Sequence, residues 1–350
     1  MSLGTRELCC RLNAGSRSFA RAAEDLKHAA RVSISPEKLR QVVEEEGRRV
    51  QEAGESGGLK PGWKAGECEA LTPEGERVSR VYLGVDGFMA PVLTDREKRQ
   101  RRKSVVSGRQ RRAKGKPKLP PLATRKKGSD LRYKEFKLVQ FHDESMDKRL
   151  ISVTRRPCRE AGRIMRRDAG RIGFHEADER VANVDAAAWI PGQIVRRCVL
   201  LTALVLDFFH LGEHVNAGKR AAFGEGSEEG DGWATEVLHA AKHQGYGPFW
   251  EKLLAWRAGL RGKGKRQEAD RLLHYVSEHR EMICYDKCLA RGWRISSSAT
   301  ESQCGAVPKR IKGPGKRWDA DNAEAVMALE AMDQSHLWNA YWTTCAASMN

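Results

Sequence analysis

The order of the apolar segments between residues 77 and 210 constrains the fold of this chain more than any other feature. Five stretches there are rich in Val, Leu, Tyr and Phe, the composition of β-strands. The polar segment "ESMD" joins the second and third stretches, which predicts an antiparallel pair, and a basic helical pattern precedes the fourth. We therefore predict an α/β domain built on a mixed sheet flanked by helices. The five stretches are residues 77–93, 133–143, 148–156, 179–190 and 199–210.

The segments outside this region have helical periodicity. Apolar residues recur at spacings of three and four up to about residue 52, and again from 211 to 293. A glycine-rich stretch with one proline, residues 54–67, predicts a linker after the first helical part. The predicted parts are an N-terminal helical segment with its linker (1–75), the first part of a core (76–210), an all-helical insertion (211–293) and the last part of the core with a C-terminal helix (294–350).

Charge adds a prediction about partners. The chain has 63 Lys and Arg against 46 Asp and Glu, which gives a net charge of +17. Such an excess predicts a polyanionic partner, with nucleic acid first and an anionic membrane surface second. The excess is concentrated between Arg96 and Lys127, where 15 of 32 residues are basic and Glu97 is the one acid. We predict that residues 96–131 form a flexible basic insertion that contacts phosphates through residues such as Arg101, Arg102 and Lys103.

Several classes of protein are disfavoured by the sequence. The longest apolar stretch, residues 198–209, is too short for a transmembrane helix, so we expect no membrane partner. The first residues, "MSLGTRELCC", lack the apolar core of a signal peptide. The nine cysteines are scattered and odd in number, which is typical of a reducing compartment. No P-loop is present, so we expect no nucleotide hydrolysis.

Three acids lie at positions that favour metal-dependent chemistry. Asp86 and Asp185 end apolar strand-like segments, and Glu301 begins a predicted helix. Carboxylates at strand ends in a mixed sheet can converge, and their oxygens suit Mg²⁺. Two such ions about 3.5–4 Å apart clamp the attacking and leaving oxygens of an in-line phosphoryl transfer. The alternative is structural, because strand-end acids are common and Ser298 with Glu301 also fits a helix capping box.

A basic run follows Glu301 closely. It lies within "AVPKRIKGPGKRW", and it would hold a nucleic acid backbone while the carboxylate holds a metal. The candidate phosphate contacts are Lys309, Arg310, Lys312, Lys316 and Arg317.

Four segments in this order resemble the signature segments of a transposase family. They are "YLGVDGFMAPV", "ANVDAAAWI", "LVLDFFHLGEH" and "SSSATESQCGAVPKRIKGPGKRW". They are similar to bacterial insertion-sequence transposases of the ISKra group, which are DDE enzymes related to the Mutator superfamily. The N-terminal "ELCCRLNAGSRSFARAAEDL" also resembles that family, so the resemblance covers about residues 6–342.

The resemblance implies an RNase H-like fold and a set of roles. Asp86, Asp185 and Glu301 match the three catalytic acids, which hold two Mg²⁺ ions, with Mn²⁺ able to substitute. Asp207 and His210 resemble an Asp-x-x-His element that supports the metal site, and Asp207 is the second choice for the second acid. The implied activity is endonucleolytic DNA cleavage and strand transfer in DNA recombination.

The resemblance also implies partners. These are the terminal inverted repeats of the element, target DNA and further copies of the chain, in a cytoplasmic, nucleoid-associated protein. The alternative is a catalytically inactive or truncated transposase-derived protein that binds DNA, because family members generally carry more sequence before the segment that opens this chain.

This sequence departs from the family pattern at two places near the acids. Ala186 stands where the family has a glycine after the second acid. Pro308 falls within the helix expected after Glu301 and should kink or end it.

Other motifs compete for a functional role. "HLGEH", from His210 to His214, matches the inverted zinc-protease motif, although no third ligand is evident. Cys284 and Cys288 have no second Cys or His pair at zinc spacing, so we interpret them as helix packing residues. We expect the aromatic residues of the helical insertion to pack its core rather than to stack on bases. The principal ones are Trp233, Phe249, Trp250, Trp256 and Trp293.

Overall fold

The computed structural model describes residues 1–16, 18–103, 105–116, 130–313 and 315–347, without the side chains of residues 101–108. Within these ranges the chain forms one mixed sheet of 6 strands with helices packed around it. The predicted α/β class is therefore confirmed.

The strands are β1 (Glu69–Leu71), β2 (Arg77–Pro91), β3 (Tyr133–His142), β4 (Arg149–Thr154), β5 (Glu179–Val184) and β6 (Ala203–Leu206). Their spatial order is β4-β3-β2-β5-β6, and β1 pairs with the start of β2. The β2–β3 and β3–β4 pairs are antiparallel, whereas the β2–β5 and β5–β6 pairs are parallel. The predicted antiparallel pair, β3 with β4, is confirmed. The three residues of β1 are too few to give a strand pattern in the sequence.

The longer helices before the last strand are α1 (Leu3–Gly15), α2 (Phe19–Ala30), α3 (Pro36–Ser56), α4 (Asp95–Lys103), α5 (Val105–Ala113), α6 (Cys158–Ile172) and α7 (Trp189–Arg196). Those after it are α8 (Phe208–Phe223), α9 (Glu228–His243), α10 (Tyr246–Gly259), α11 (Lys263–Glu278), α12 (Tyr285–Ala290), α13 (Ser298–Ala306), α14 (Ala320–Gln334) and α15 (Trp338–Ala347). The helices α8 to α12 confirm the helical character of residues 211–293.

Strand β2 has two neighbours along its first part and one along its second. It pairs with β5 only as far as Val85, which lies opposite Val184. Its pairing with β3 continues six residues further, to Pro91 opposite Tyr133. The sheet therefore has a step at the end of β5, and Asp86 is the first β2 residue beyond it.

Helix α13 lies directly on the face of β2 that carries the Gly84 position. A methyl group at Gly84 would overlap the Thr300 hydroxyl, so only glycine permits this approach. Side chains alternate between the two faces of a strand, so Asp86 shares its face with Gly84. On the other face, Phe141, which pairs with Leu83, packs edge-on against Phe174 just after α6. Helices thus cover both faces of the sheet.

The N-terminal helices pack against the C-terminal helices. Helices α3 and α14 cross closely at Gly47, where a Cβ atom would overlap the Ala325 carbonyl oxygen. The buried Glu46 carboxylate pairs with Arg6 and accepts the Tyr341 hydroxyl at 2.6 Å. Both ends of the chain therefore form one helical layer against the sheet, and the predicted linker does not separate residues 1–53 from the core.

A buried arginine anchors the end of the helical insertion to the sheet. Arg80 of β2 is 1% exposed, and its Nε donates to the Glu179 carboxylate at 2.6 Å. Its Nη groups donate to Glu144 and to the carbonyls of Arg291 and Gly292. Because every guanidinium nitrogen has an acceptor, the charge is tolerated inside the protein.

The described part of the basic insertion is helical, which corrects the prediction of an unstructured segment. A capping box starts α4, since the Thr94 and Glu97 side chains each accept the other's backbone N–H. Glu97 also pairs with Arg317, and Lys98 with Asp319. These contacts hold α4 on the segment before α14. The rest of the insertion, at 104 and 117–129, lies outside the described residues.

Among the helices that the structure describes, none combines the length and apolar character needed to cross a membrane. All nine cysteines are free thiols, and Cys9 and Cys10 are buried in the helical layer.

Candidate active site

Asp86 and Asp185 lie side by side at the step in the sheet. Val85 of β2 and Val184 of β5 form the last residue pair between these two parallel strands. Asp86 and Asp185 are the residues that follow directly. Neighbouring strands are about 4.8 Å apart, so the two acids lie near each other, one residue beyond the last β2–β5 pair. Both side chains are half-buried. The structure therefore brings together two acids that are far apart in the chain.

Glu301 reaches this edge because the segment before its helix is tied to the sheet. The Asn183 side chain donates to the Arg294 carbonyl at 2.8 Å, and the Phe208 N–H donates to the Ile295 carbonyl at 3.0 Å. Since Asn183 pairs with Gly84, these bonds lie beside the site where α13 packs. No sequence pattern indicates the role of Asn183 or the contact between Thr300 and Gly84.

Asp207 completes this attachment. The residue follows β6, and its N–H donates to the Val184 carbonyl at 2.9 Å. Its carboxylate accepts the His210 N–H at 2.7 Å, as the N-cap of α8, and the Ser297 N–H at 2.5 Å. It is 1% exposed, and each of its oxygens accepts a backbone N–H. We therefore interpret Asp207 as a positioning residue that fixes the start of α13 and not as the second metal-binding acid.

The Glu301 side chain is exposed and bonded to the start of its own helix. The Ser297 hydroxyl donates to Glu301 Oε1 at 3.0 Å. The capping-box alternative with Ser298 is wrong, because the N-cap of α13 is Ser297 and its side chain makes no capping bond. Helix α13 ends at Ala306 and a 3₁₀ turn from Val307 follows, as predicted from Pro308.

Burial and the neighbouring acids raise the pKa of Asp86. Burial raises its pKa most, and the charges of Asp185 and Glu301 raise it further. The Gly87 N–H, 2.5 Å from Asp86 Oδ1, and the Cys304 thiol act in the opposite direction. Three carboxylates in one electrostatic neighbourhood repel one another, and a bound cation would relieve that repulsion.

The donor set can be compared with what a divalent cation requires. Asp86, Asp185 and Glu301 offer carboxylate oxygens, the ligands that Mg²⁺ prefers. As the side chains stand, however, no group of three or more His, Cys, Asp or Glu residues within the described ranges is arranged to hold a metal ion. The chemistry of the three acids fits Mg²⁺ or Mn²⁺.

His210 lies in the first turn of α8 beside the acids. Its Nδ1 is 3.3 Å from the Glu213 carboxylate, and its ring is 5.3 Å from that of His214. The His214 ring stacks on Tyr275 at 3.7 Å, so all three members of the H-x-x-E-H motif already have partners. The negative charges of Asp185 and Asp207, after burial, raise the pKa of Tyr275. Tyr275 of α11 thus lies within electrostatic range of Asp185 and Asp207, which the sequence did not indicate.

The basic residues after Glu301 separate into two groups. Arg310 is buried, and its guanidinium lies 4.6 Å above the Phe19 ring and donates to Asn13 Oδ1. The prediction that Arg310 contacts phosphate is therefore wrong. Arg317 pairs with Glu97, whose pKa it lowers to about 2.

The lysines remain available for phosphates. Lys309 and Lys312 are exposed and Lys316 is half-buried. Lys312 and Lys316 line an open groove of about 500 Å³ together with Met89, Arg132 and Tyr133. The groove lies on the part of β2 just beyond Asp86. Helix α4 includes Arg101, Arg102 and Lys103, of which the structure describes only the backbone.

The aromatic residues of the helical insertion are packed, as predicted. Phe249 and Trp293 are buried, and the Trp233 and Trp256 rings lie 4.4 Å apart, partly covered.

Neither a protein-family model nor a curated protein matches this chain.

Proposed function

We propose that this protein is a DDE-type DNA transposase of the ISKra group, with an RNase H-like core. The observation that carries the proposal is that Asp86 and Asp185 directly follow the last β2–β5 pair, with the helix of Glu301 docked on Gly84 beside them. The sheet order, with three antiparallel strands followed by two parallel ones, supports the fold assignment.

The three acids would hold the divalent cations. When bound, two Mg²⁺ ions activate the attacking oxygen and stabilise the leaving oxygen of a phosphodiester. Asp207 and Ser297 position the Glu301 helix, and the half-buried setting of Asp86 and Asp185 limits water around the reacting phosphate.

The basic surface would bind the DNA backbone. Lys309, Lys312 and Lys316 follow Glu301 in the chain, and two of them line a groove that includes Met89 and Pro91 near the end of β2. A net charge of +17 supports DNA as the partner, both as element ends and as target. Such contacts give salt-dependent affinity without sequence selectivity.

The test measures cleavage and binding separately. Duplexes carrying the DNA that flanks the coding region are incubated with the protein and Mg²⁺ or Mn²⁺, and strand cleavage and joining are followed on gels. Asp86→Asn, Asp185→Asn and Glu301→Gln should each abolish cleavage while DNA affinity stays within a few-fold. Glu236→Gln, an exposed acid on α9, is the matched control and should leave both unchanged. Equal cleavage by Asp86→Asn and the wild type would overturn the proposal.

The second candidate is a transposase-derived protein that binds DNA without cutting it. It is favoured by Ala186, which stands where the family has a glycine directly after the second acid. It predicts salt-sensitive DNA binding and no cleavage with either metal ion. If the wild type binds the flanking duplexes but neither cuts nor joins them, this candidate replaces the first.

A further inference from the structure

Two thiols lie close together in a part of the molecule that the proposed function does not use. The Sγ atoms of Cys284 and Cys288 are 3.8 Å apart at the start of α12. The Cys288 N–H donates to the Cys284 carbonyl at 3.0 Å, so one helical turn separates the two residues. The rise of a helix puts their Cα atoms about 6 Å apart, within the range that a disulfide spans.

The backbone leaves one of the two thiols free to adjust. Cys284 is the N-cap of α12, with φ −129° and ψ 41°, and is not held in helical geometry. Cys288 is inside the helix and 0% exposed. Closing the gap from 3.8 Å to the S–S bond length of about 2.05 Å therefore requires movement at Cys284 and little at Cys288.

The environments of the thiols favour Cys284 as the one that attacks first. Cys284 is half-buried and can meet a small molecule, whereas Cys288 is fully buried. The Cys288 thiol, as a hydrogen-bond partner, lowers the pKa of Cys284, while that hydrogen bond and burial raise the pKa of Cys288. A lower pKa increases the fraction of the reactive thiolate.

We propose that Cys284 and Cys288 form a redox-modification site that closes to a disulfide by exchange with a low-molecular-weight disulfide. The Cys284 thiolate attacks one sulfur of the small disulfide, breaks its S–S bond and releases one thiol after protonation. The Cys288 thiolate then attacks Cys284 Sγ in the mixed disulfide, forms the protein disulfide and releases the second thiol. The two cysteines lose two electrons and two protons, and the small disulfide gains them.

The position of the pair connects it to the rest of the fold. The Cys288 carbonyl accepts the Trp293 N–H at 2.8 Å, at the start of the segment that leads to Ser297. Tyr285, between the two cysteines, is fully buried and packs edge-on against Phe208 at 5.2 Å. The site is independent of the proposed function, because it requires no DNA and no metal ion.

The experiment follows the thiols of the full-length reduced protein. Wild type, Cys284→Ser and Cys288→Ser are incubated with oxidised glutathione, quenched by alkylation and analysed by non-reducing peptide mapping. The wild type should form the Cys284–Cys288 disulfide, which dithiothreitol reverses. Cys288→Ser should retain one glutathione on Cys284, and Cys284→Ser should leave Cys288 unmodified. Thermal unfolding of both variants checks that they are folded.

An internal reference is present in the same samples. Cys198 is exposed and should take up glutathione in all three proteins. If Cys284 stays reduced while Cys198 is modified, the proposal fails. It also fails if folded wild type retains glutathione on Cys284 as Cys288→Ser does, since Cys288 would then not resolve the mixed disulfide.

Discussion

The Asp207 carboxylate accepts the Ser297 backbone N–H at 2.5 Å and so joins the end of the last strand to the start of the helix that carries Glu301. The two residues are 90 positions apart in the chain, with the whole helical insertion between them. The same carboxylate also caps α8 through the His210 N–H. One buried side chain thus closes the insertion at both ends.

Replacing Asp207 should loosen this closure. In Asp207→Asn, two backbone N–H groups lose a charged acceptor, and we expect a loss of about 1–3 kcal/mol in unfolding free energy. Urea unfolding measures this loss, and hydrogen exchange should become faster over residues 294–301. Asp185→Asn, at a half-buried position with one local bond to the Ala187 N–H, is the control and should change stability less. Equal stability of Asp207→Asn and the wild type would contradict a positioning role.

The contact between β2 and α13 should be sensitive to one methyl group. Gly84→Ala places a Cβ atom against the Thr300 side chain, so we expect a destabilisation of about 1–3 kcal/mol from overpacking, with displacement of α13. Gly305→Ala in the same helix has open space around it and should be neutral or slightly stabilising. Thermal unfolding of the two variants compares them, and the contact is refuted if both behave alike.

Arg80 should be among the most costly side chains to remove. Arg80→Leu leaves the carboxylates of Glu179 and Glu144 without their buried partner, and we expect a loss of about 3–5 kcal/mol. The nearby Arg77→Leu substitution, at an exposed position on the same strand, is the control. Denaturant midpoints measure the difference, and a small effect of Arg80→Leu would show that water replaces the guanidinium.

His142 should make the protein less stable in acid. Burial lowers its pKa from 6.5 to about 4, so the unfolded chain takes up the proton more readily than the folded one. Its contribution to stability is fully present above pH 6.5 and is lost as pH falls from 6.5 towards 4. The linkage amounts to about 2 kcal/mol between pH 7 and pH 5.

The variant His142→Phe isolates this linkage. It keeps an aromatic ring against Tyr82 but cannot be protonated. Urea unfolding at pH 7 and pH 5 should show that the variant loses less stability than the wild type over this interval. An identical pH dependence of the two proteins would place the acid sensitivity elsewhere.

Substitution of Lys309 should affect DNA binding, whereas substitution of the adjacent Arg310 should affect stability. Lys309→Ala should weaken DNA binding and reduce the slope of log K against log salt by about 0.9, because one phosphate contact is lost. Arg310→Ala should instead destabilise the fold, since its buried guanidinium lies between Phe19 and Trp318. Fluorescence anisotropy at several salt concentrations and thermal unfolding separate the two effects. The assignment is wrong if Arg310→Ala lowers affinity while stability is unchanged.

The sequence determined the parts of this protein that depend on local pattern. The strand segments, the helical insertion and the turn at Pro308 follow from residue composition, apolar periodicity and proline geometry, which act within a few residues. Asp185 could be selected because it directly follows such a segment, whereas Asp86, which the sequence placed at a strand end, lies inside β2, which continues to Pro91.

Tertiary structure alone decided which residues meet. Whether Asp86 and Asp185 lie near each other depends on the β2–β5 register. The place of Glu301 depends on two hydrogen bonds: Asn183 donates to the Arg294 carbonyl, and Asp207 accepts the Ser297 N–H, across 90 or more positions of the chain. Arg310 and Lys309 are equally basic in the sequence, but packing buries one and leaves the other exposed. Pairings between distant segments are set by the summed packing of the whole core, and no single stretch of sequence records them.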